Sequence, residues 1–174
     1  MLLVTKPKLI LYYLYNAYLP FYSAPANLHY FTKVATLILD KNNLSSLSGF
    51  PVMKTVTTLW FNNNQMNDIV EFMDEINNLY PNITYLTVMN NPASPPLVCI
   101  SEEDVAASSR YRLYVIYRLP KLQFLDASPV TNEERKEAQS RGQYLAVRKP
   151  KQKSSSTMGK PISPTSVGGV FGAL

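Results

Sequence analysis

The chain has 174 residues, of which 46% are hydrophobic, and this composition is sufficient for one domain with a closed core. The formal net charge of +5 is concentrated at the C-terminal end. Residues 1–137 carry 11 basic and 12 acidic side chains, whereas all six charged residues after Glu137 are basic. A near-neutral domain lacks the broad positive field that attracts nucleic acid, so we expect no direct nucleic-acid binding. The basic tail is expected to make only weak contacts with acidic surfaces.

Two of the common catalytic arrangements have no counterpart in the sequence. His29 is the only histidine, which excludes a histidine pair, and there is no glycine-rich loop of the kind that binds phosphate. We therefore predict that the protein is not an enzyme and has no cofactor.

The cysteine count bears on the cellular compartment. Cys99 is the only cysteine, so no intrachain disulfide can form. Because small secreted domains commonly depend on disulfides, the sequence favours a reducing compartment. The cytoplasm is the predicted location, the nucleus is the alternative, and secretion is disfavoured. Cys99 itself is predicted to be a buried apolar residue.

The N-terminal segment, residues 1–33, is the most ambiguous part of the chain. An apolar run over residues 9–22 follows two lysines and precedes a short Ala-Pro-Ala sequence, which are the three parts of a secretory signal. Against this interpretation, the run contains five tyrosines, an asparagine and a proline. It is also too short to span a bilayer, so we expect no transmembrane segment. The alternative is a cap or a degenerate repeat.

A spacing of the type L-x-x-L-x-L-x-x-N-x-L, typical of leucine-rich repeats, occurs three times in the middle of the chain. The three matching sets are Val34, Leu37, Leu39, Asn42 and Leu44; Val56, Leu59, Phe61, Asn64 and Met66; and Ile83, Leu86, Val88, Asn91 and Ala93. An incomplete fourth copy at Leu122, Leu125 and Ala127 lacks the asparagine, as expected of a terminal repeat.

The spacing predicts an α/β solenoid, with parallel strands on the concave face and helices or turns on the convex face. The predicted leucine-rich-repeat domain is residues 34–148, with a C-terminal cap at about 110–142 and a disordered basic Ser/Pro/Gly-rich tail at 149–174. Asn42, Asn64 and Asn91 follow the strands, where an amide side chain can satisfy backbone groups of adjacent turns. We predict that they form a buried structural ladder.

The connections between strands differ in predicted structure. Residues 44–52 contain a glycine and a proline and are expected to form only one turn of helix. Asp68 is the predicted cap of a helix whose apolar residues recur at i, i+3, i+4 and i+7, beginning at Ile69.

The last third of the chain is predicted to contain two more helices. Ser101 opens one that runs to about Arg118, and the acids at 102–104 complement its dipole, so no metal site is predicted there. Thr131 and Glu134 form a capping box for the last helix, and Gly142 is placed to end it.

The candidate binding site is the concave face, because residues that alternate with core positions along a strand point away from the core. The predicted contact residues are Thr36, Ile38, Asp40, Thr58, Trp60, Asn62, Tyr85, Thr87, Met89, Phe124 and Asp126. Trp60 is the predicted anchor, since exposed aromatic side chains on a central strand are typical of binding sites. The alternative is that the N-terminal segment covers it.

The stretch from Tyr111 to Ala138, YRLYVIYRLPKLQFLDASPVTNEERKEA, resembles the C-terminal cap of intracellular leucine-rich-repeat proteins. The A-prime proteins of the spliceosomal small nuclear particle have a similar segment. The continuation SRGQYLAVRKPK, together with the long third repeat, more closely resembles the leucine-rich melanocyte differentiation-associated family. That resemblance implies an intracellular adaptor in melanocyte differentiation and membrane-organelle traffic, with a small GTPase or a trafficking complex as partner. The alternative is a ribonucleoprotein component that binds a protein through its concave face.

Overall fold

The structure is a computed structural model, and it describes residues 9–12, 28 and 30–146. Within this part of the chain, six strands form one sheet in chain order. They are β1 Leu9–Tyr12, β2 Val34–Ile38, β3 Thr58–Trp60, β4 Tyr85–Thr87, β5 Phe124–Leu125 and β6 Ser128–Pro129. The first five are parallel and β6 returns antiparallel to β5. The helices are α1 Ile69–Leu79, α2 Glu102–Arg118 and α3 Asn132–Arg141, followed by a 3₁₀ helix, Gly142–Leu145.

The strand register follows the repeat spacing. Leu37 pairs with Leu59, Leu59 with Leu86, and Leu86 with Leu125, so equivalent leucines of successive repeats lie side by side. All four are buried. The predicted leucine-rich-repeat fold, with parallel strands and returns on the other side, is confirmed.

The N-terminal strand β1 extends the parallel sheet beyond the first full repeat. Its residues pair with β2 from Leu9 to Tyr12. Residues 1–8, 13–27 and His29 lie outside the described residues, as does the tail from residue 147. The assignment of residues 1–33 to a cap or degenerate repeat and the disorder of residues 149–174 therefore stay predictions.

Helix α1 covers the core from the convex side. Asp68 caps it by accepting hydrogen bonds from the backbone N–H groups of Val70 and Glu71. Its apolar stripe is buried, and the ring of Phe72 packs against Phe61 of the second repeat, with centroids 4.6 Å apart. No helix among the described residues is both long and apolar enough to cross a membrane.

The connection from residue 44 to 52 contains no helical turn, so that prediction is wrong. Gly49 has a φ of +82°, a left-handed conformation that does not continue a helix, and Pro51 has no N–H to donate. The segment is instead held by the Leu47 N–H, which donates to Glu75 Oε2 of α1 at 2.7 Å. Burial raises the pKa of Glu75 above its usual value, and the bond from Leu47 opposes this shift.

The asparagines that follow the strands are buried and connect neighbouring repeats. The Asn64 side chain accepts from the backbone N–H groups of Asn42 and Leu44 at 3.0 and 3.1 Å, and donates to Leu39 O at 2.9 Å. Asn91 does the same one repeat later, accepting from Met66 N–H and donating to Phe61 O. Each side chain thus satisfies backbone groups that would otherwise be buried without partners.

The C-terminal helices close the end of the core. Ser101 and Asp104 form a capping box at the start of α2, and Thr131 and Glu134 form one at the start of α3. The hydrogen bonds between Ser101 and Asp104 lower the pKa of the Asp104 carboxyl group. Arg112 connects the two helices by donating to both carboxylate oxygens of Glu134, at 2.7 and 3.2 Å. Its hydrogen bonds are the main reason that the pKa of Glu134 lies below its usual value.

The prediction that Gly142 ends α3 is confirmed, since the helix runs to Arg141 and Gly142 is its C-cap residue. Gly142 has a φ of −55°, and the chain continues from it into the 3₁₀ helix. Gly142 is needed for space, because a Cβ there would lie 2.4 Å from the Cβ of Tyr117. Cys99 is exposed, not buried. It lies in the loop before α2, where residues 96–100 form neither helix nor strand and all face solvent.

Candidate protein-binding face

The outward positions of the strands form two rows that cross the sheet. One row contains Thr36, Thr58, Tyr85 and Phe124, which are neighbours through the strand register. The other contains Ile38, Trp60 and Thr87. Because these residues alternate with the buried leucines, their side chains point away from the core, on the face of the sheet opposite the convex helices.

Three aromatic rings on this face form a row of stacked side chains, here called the ring row: Trp60, Tyr85 and Phe124. The rings of Tyr85 and Phe124 are nearly parallel, with centroids 4.7 Å apart and 5° between planes. Trp60 lies 6.4 Å from Tyr85 at 18°. Trp60 is 38% exposed, which makes it an accessible apolar surface in the middle of the sheet. The alternative that the N-terminal segment, residues 1–33, covers Trp60 stays a prediction, because most of that segment lies outside the described residues.

The expected exposure of Asn62 and Thr87 is wrong, since they are only 7% and 3% exposed. Thr87 Oγ1 donates to Asn62 Oδ1 at 2.7 Å, and the backbone N–H of Met89 donates to the same oxygen at 2.8 Å. Asp40 Oδ1 accepts from the Asn62 N–H at 2.7 Å. Asp40 and Met89 are half-buried beside this network. At the ends of the strands, polar side chains therefore join one repeat to the next.

Asp126 is also held by structural bonds. Its Oδ1 accepts from the Val88 N–H at 2.9 Å, and its Oδ2 accepts from the hydroxyl of buried Tyr111 at 2.8 Å. Burial raises the pKa of Asp126, and these two bonds oppose the shift. The pKa of Tyr111 lies well above its ordinary value, because the hydroxyl is buried and faces the Asp126 carboxylate. Both carboxylate oxygens are used to attach the C-terminal cap to the last full repeat.

A set of basic residues near the starts of the strands was missed by the sequence analysis. Lys33, Lys54 and Lys121 stand one or two residues before the first apolar position of their repeats and are exposed. Arg135 of α3 joins them, since it donates to Pro120 O and Leu122 O. Comparing the residue before each repeat, instead of the residues within the strands, would have revealed this basic rim. The four residues are called the strand-start rim below.

The described residues include no group of three or more His, Cys, Asp or Glu side chains suited to hold a metal ion. The acids at 102–104 lie at the N-terminus of α2, where Asp104 is occupied by its bonds to Ser101 and Ile100. The face described above offers apolar rings, hydroxyl groups and a basic edge, and this combination is suited to binding another macromolecule.

Comparison with known proteins agrees with the repeat pattern. A family model described as leucine-rich repeat matches residues 26–155. The leucine-rich melanocyte differentiation-associated protein of Homo sapiens is 37% identical over 131 residues, which cover 75% of this chain and 66% of that protein. The U2 small nuclear ribonucleoprotein A' of Homo sapiens is 31% identical over 132 residues, which cover 60% of this chain and 47% of that protein. The resemblance inferred from the C-terminal cap is confirmed.

A solved structure of the Drosophila melanogaster SNF/U2A' complex is similar with a TM-score of 0.43 and 20% identity, covering 67% of this chain and 75% of that one. The chain spans between about half and two thirds of the length of the two curated relatives. Because the family model covers most of the chain, including every strand from β2 to β6 and all three helices, the chain belongs to the leucine-rich-repeat family.

Proposed function

We propose that this protein is a non-catalytic adaptor that holds a partner protein on the outward face of its sheet, with Trp60 as the central anchor. The observation that carries the proposal is the ring row, because a large aromatic surface on a central strand remains accessible after the core is filled. Rigid aromatic side chains lose little conformational entropy on binding and commonly supply most of the affinity of an interface.

The cellular role that we propose is the one implied by the melanocyte differentiation-associated relative, which matches with higher identity and over more of both chains than the ribonucleoprotein. The partner would be a small GTPase or a trafficking complex of membrane organelles, in the cytoplasm. The second candidate is a nuclear ribonucleoprotein component that binds a protein partner through the same face. Its support is the similarity to the U2 small nuclear ribonucleoprotein A'.

Proximity labelling in cells with the tagged full chain tests both the face and the role. We compare the wild type with Trp60→Ala, and with Tyr144→Ala as a matched control, because Tyr144 is an exposed aromatic residue away from the strands. The proposal expects that the Trp60 variant loses a set of labelled proteins that the Tyr144 variant retains.

The identity of that set separates the two roles. Small GTPases and trafficking proteins would support the first candidate, and proteins of nuclear ribonucleoproteins the second. Loss of the ring stack is expected to cost about 0.5–1.5 kcal/mol of stability. A much larger loss would show that Trp60 acts in folding, and identical labelling by all three proteins would refute its role as an anchor.

A further inference from the structure

The strand-start rim and the ring row belong to one continuous surface. Lys121 precedes Phe124 of the ring row by three residues, and Lys54 precedes Thr58, the strand neighbour of Tyr85, by four. At about 3.3 Å per residue of extended chain, the lysine backbones lie at most roughly 10–13 Å from Phe124 and Thr58, and the turns that contain Lys54 and Lys121 shorten these distances. A peptide segment lying over the rings is therefore within reach of the long lysine side chains on one side.

Contacts between repeats hold the Lys121 side chain and the backbone of Lys54. The Asn82 side chain donates to Lys54 O at 2.9 Å and accepts from Lys121 Nζ at 2.7 Å. Lys121 Nζ also donates to Pro81 O at 3.4 Å. An ammonium group has three donors, so Lys121 retains one for a ligand. The rim thus places cations before β2, β3 and β5, and the ammonium group of Lys121 is held against the segment that precedes β4.

The three lysines of the rim have no acidic residue in their own strand-start segments, whereas Arg135 lies on α3 with Glu133, Glu134 and Glu137. The segments at this edge, residues 30–36, 54–58, 81–85 and 120–124, contain no aspartate or glutamate. In the described part of the chain, the ion pairs are those of Arg112, Arg118 and Arg141, and none involves a residue of the rim. Unpaired cations beside an apolar surface favour a ligand that carries negative charge.

We infer that the strand-start rim recognises carboxylates, so that the partner segment lying over the ring row is acidic; this inference rests on the proposed protein-binding function. Nucleic acid would also bring negative charge, but the stacking of the rings argues against it. Base recognition on aromatic side chains uses the ring faces. Tyr85 stacks on Phe124 at 4.7 Å and on Trp60 at 6.4 Å, so contacts within the row use ring faces that a base would need.

The experiment uses the full chain as bait for a displayed library of random peptides, so that the probe is defined without knowledge of the natural partner. Peptides that bind the wild-type chain but not the Trp60→Ala variant are selected first and are called Trp60-dependent. Their affinities are then measured for a rim variant, Lys33→Glu with Lys54→Glu, and for a control with the same charge change, Lys41→Glu with Lys136→Glu. Lys121 and Arg135 are left unchanged because their hydrogen bonds support the fold.

The expected result is that Trp60-dependent peptides are enriched in Asp and Glu relative to the unselected library. Their affinity should fall by about tenfold or more in the rim variant, change little in the control, and weaken as salt is added. Trp60-dependent peptides without acidic enrichment, or with equal affinity for the two charge variants, would overturn the inference and leave the proposed function standing. If no selected peptide depends on Trp60, both the inference and the proposed function are overturned.

A fluorescent oligouridylate RNA serves as the competing probe. If it binds more tightly than the selected peptides and loses binding in the rim variant alone, the rim recognises phosphate and the assignment to carboxylates is wrong. If the RNA binds weakly and equally to both charge variants, the preference of the rim for an acidic peptide is supported.

Discussion

Replacing Asp126 by alanine tests whether this residue of the concave face acts in folding or in binding. Its two carboxylate oxygens accept from the Val88 N–H and from the hydroxyl of Tyr111. Both donors belong to buried residues, so removing the carboxylate leaves two buried polar groups without an acceptor. Asp126 also has a φ of +53°, a conformation that alanine adopts less readily than Asp or Asn.

The size of the effect follows from these losses. A buried donor without a partner costs about 1–3 kcal/mol, and partial entry of water into the gap reduces the sum for two donors. We expect Asp126→Ala to lower the free energy of unfolding by about 2–4 kcal/mol, a large fraction of the 5–15 kcal/mol typical of a domain. Tyr111→Phe removes one donor together with its bond, so we expect a smaller cost of about 1 kcal/mol.

Urea unfolding, followed by circular dichroism and by the fluorescence of the single tryptophan, measures both variants and the double variant. The two substitutions should be less than additive, because the second removes a bond already lost. If Asp126→Ala costs less than about 0.5 kcal/mol, or if the two effects are additive, the structural role of Asp126 is refuted. Reduced partner binding at unchanged stability would instead place Asp126 in the interface.

The pH dependence gives an independent check. Burial raises the pKa of Asp126 in the folded protein above its value of about 3.9 in an unfolded chain. Between these two pKa values the folded state binds more protons than the unfolded state, so the contribution of Asp126 to stability falls as pH rises and becomes constant above the folded pKa. Asp126→Asn, which tolerates the positive φ, should remove this contribution and flatten the stability curve in that window. An unchanged curve would contradict the raised pKa.

Two further substitutions test the repeat contacts and the cap. Asn64→Leu removes the acceptor of the Asn42 and Leu44 N–H groups, and should cost about 2–4 kcal/mol in urea unfolding; a neutral effect would show that water replaces the amide. Gly142→Ala places a methyl group 2.4 Å from the Cβ of Tyr117 and should lower the free energy of unfolding by about 1–3 kcal/mol. An increase in the thermal midpoint would instead show that the 3₁₀ helix shifts to make room for the methyl group.

The repeat spacing determines the core and the strand register because it is periodic. Each leucine of the pattern can be buried only if equivalent leucines of adjacent repeats lie beside it, as Leu59 does between Leu37 and Leu86. The helix caps are equally local, since Asp68 and Ser101 bond to backbone groups within three residues. The core and the strand register were therefore predictable from the periodicity, and the helix caps were predictable from residues that are close together in the sequence.

Features that depend on the size of the space available were not predictable. The sequence predicts correctly that Gly142 ends α3, but it does not show that a side chain there would meet Tyr117, 25 positions earlier in the chain. Cys99 was expected in the core because free cysteines are commonly buried, yet it lies in the connection between β4 and α2, where residues 96–100 are all exposed. Neither the space around Gly142 nor the exposure of Cys99 follows from composition or periodicity.

The binding face shows the same distinction within single strands. Alternation predicts correctly that Trp60 and Asn62 point away from the core, but it does not distinguish exposed from buried positions on that side. Towards the strand ends, polar side chains are consumed by bonds between repeats, as in the contact of Thr87 with Asn62. Towards the strand starts, the outward positions carry the rings of Tyr85 and Phe124, which stack on each other and are half-buried. A partner is therefore expected to lie over the ring row, from Trp60 at the end of β3 to Tyr85 and Phe124 at the starts of β4 and β5.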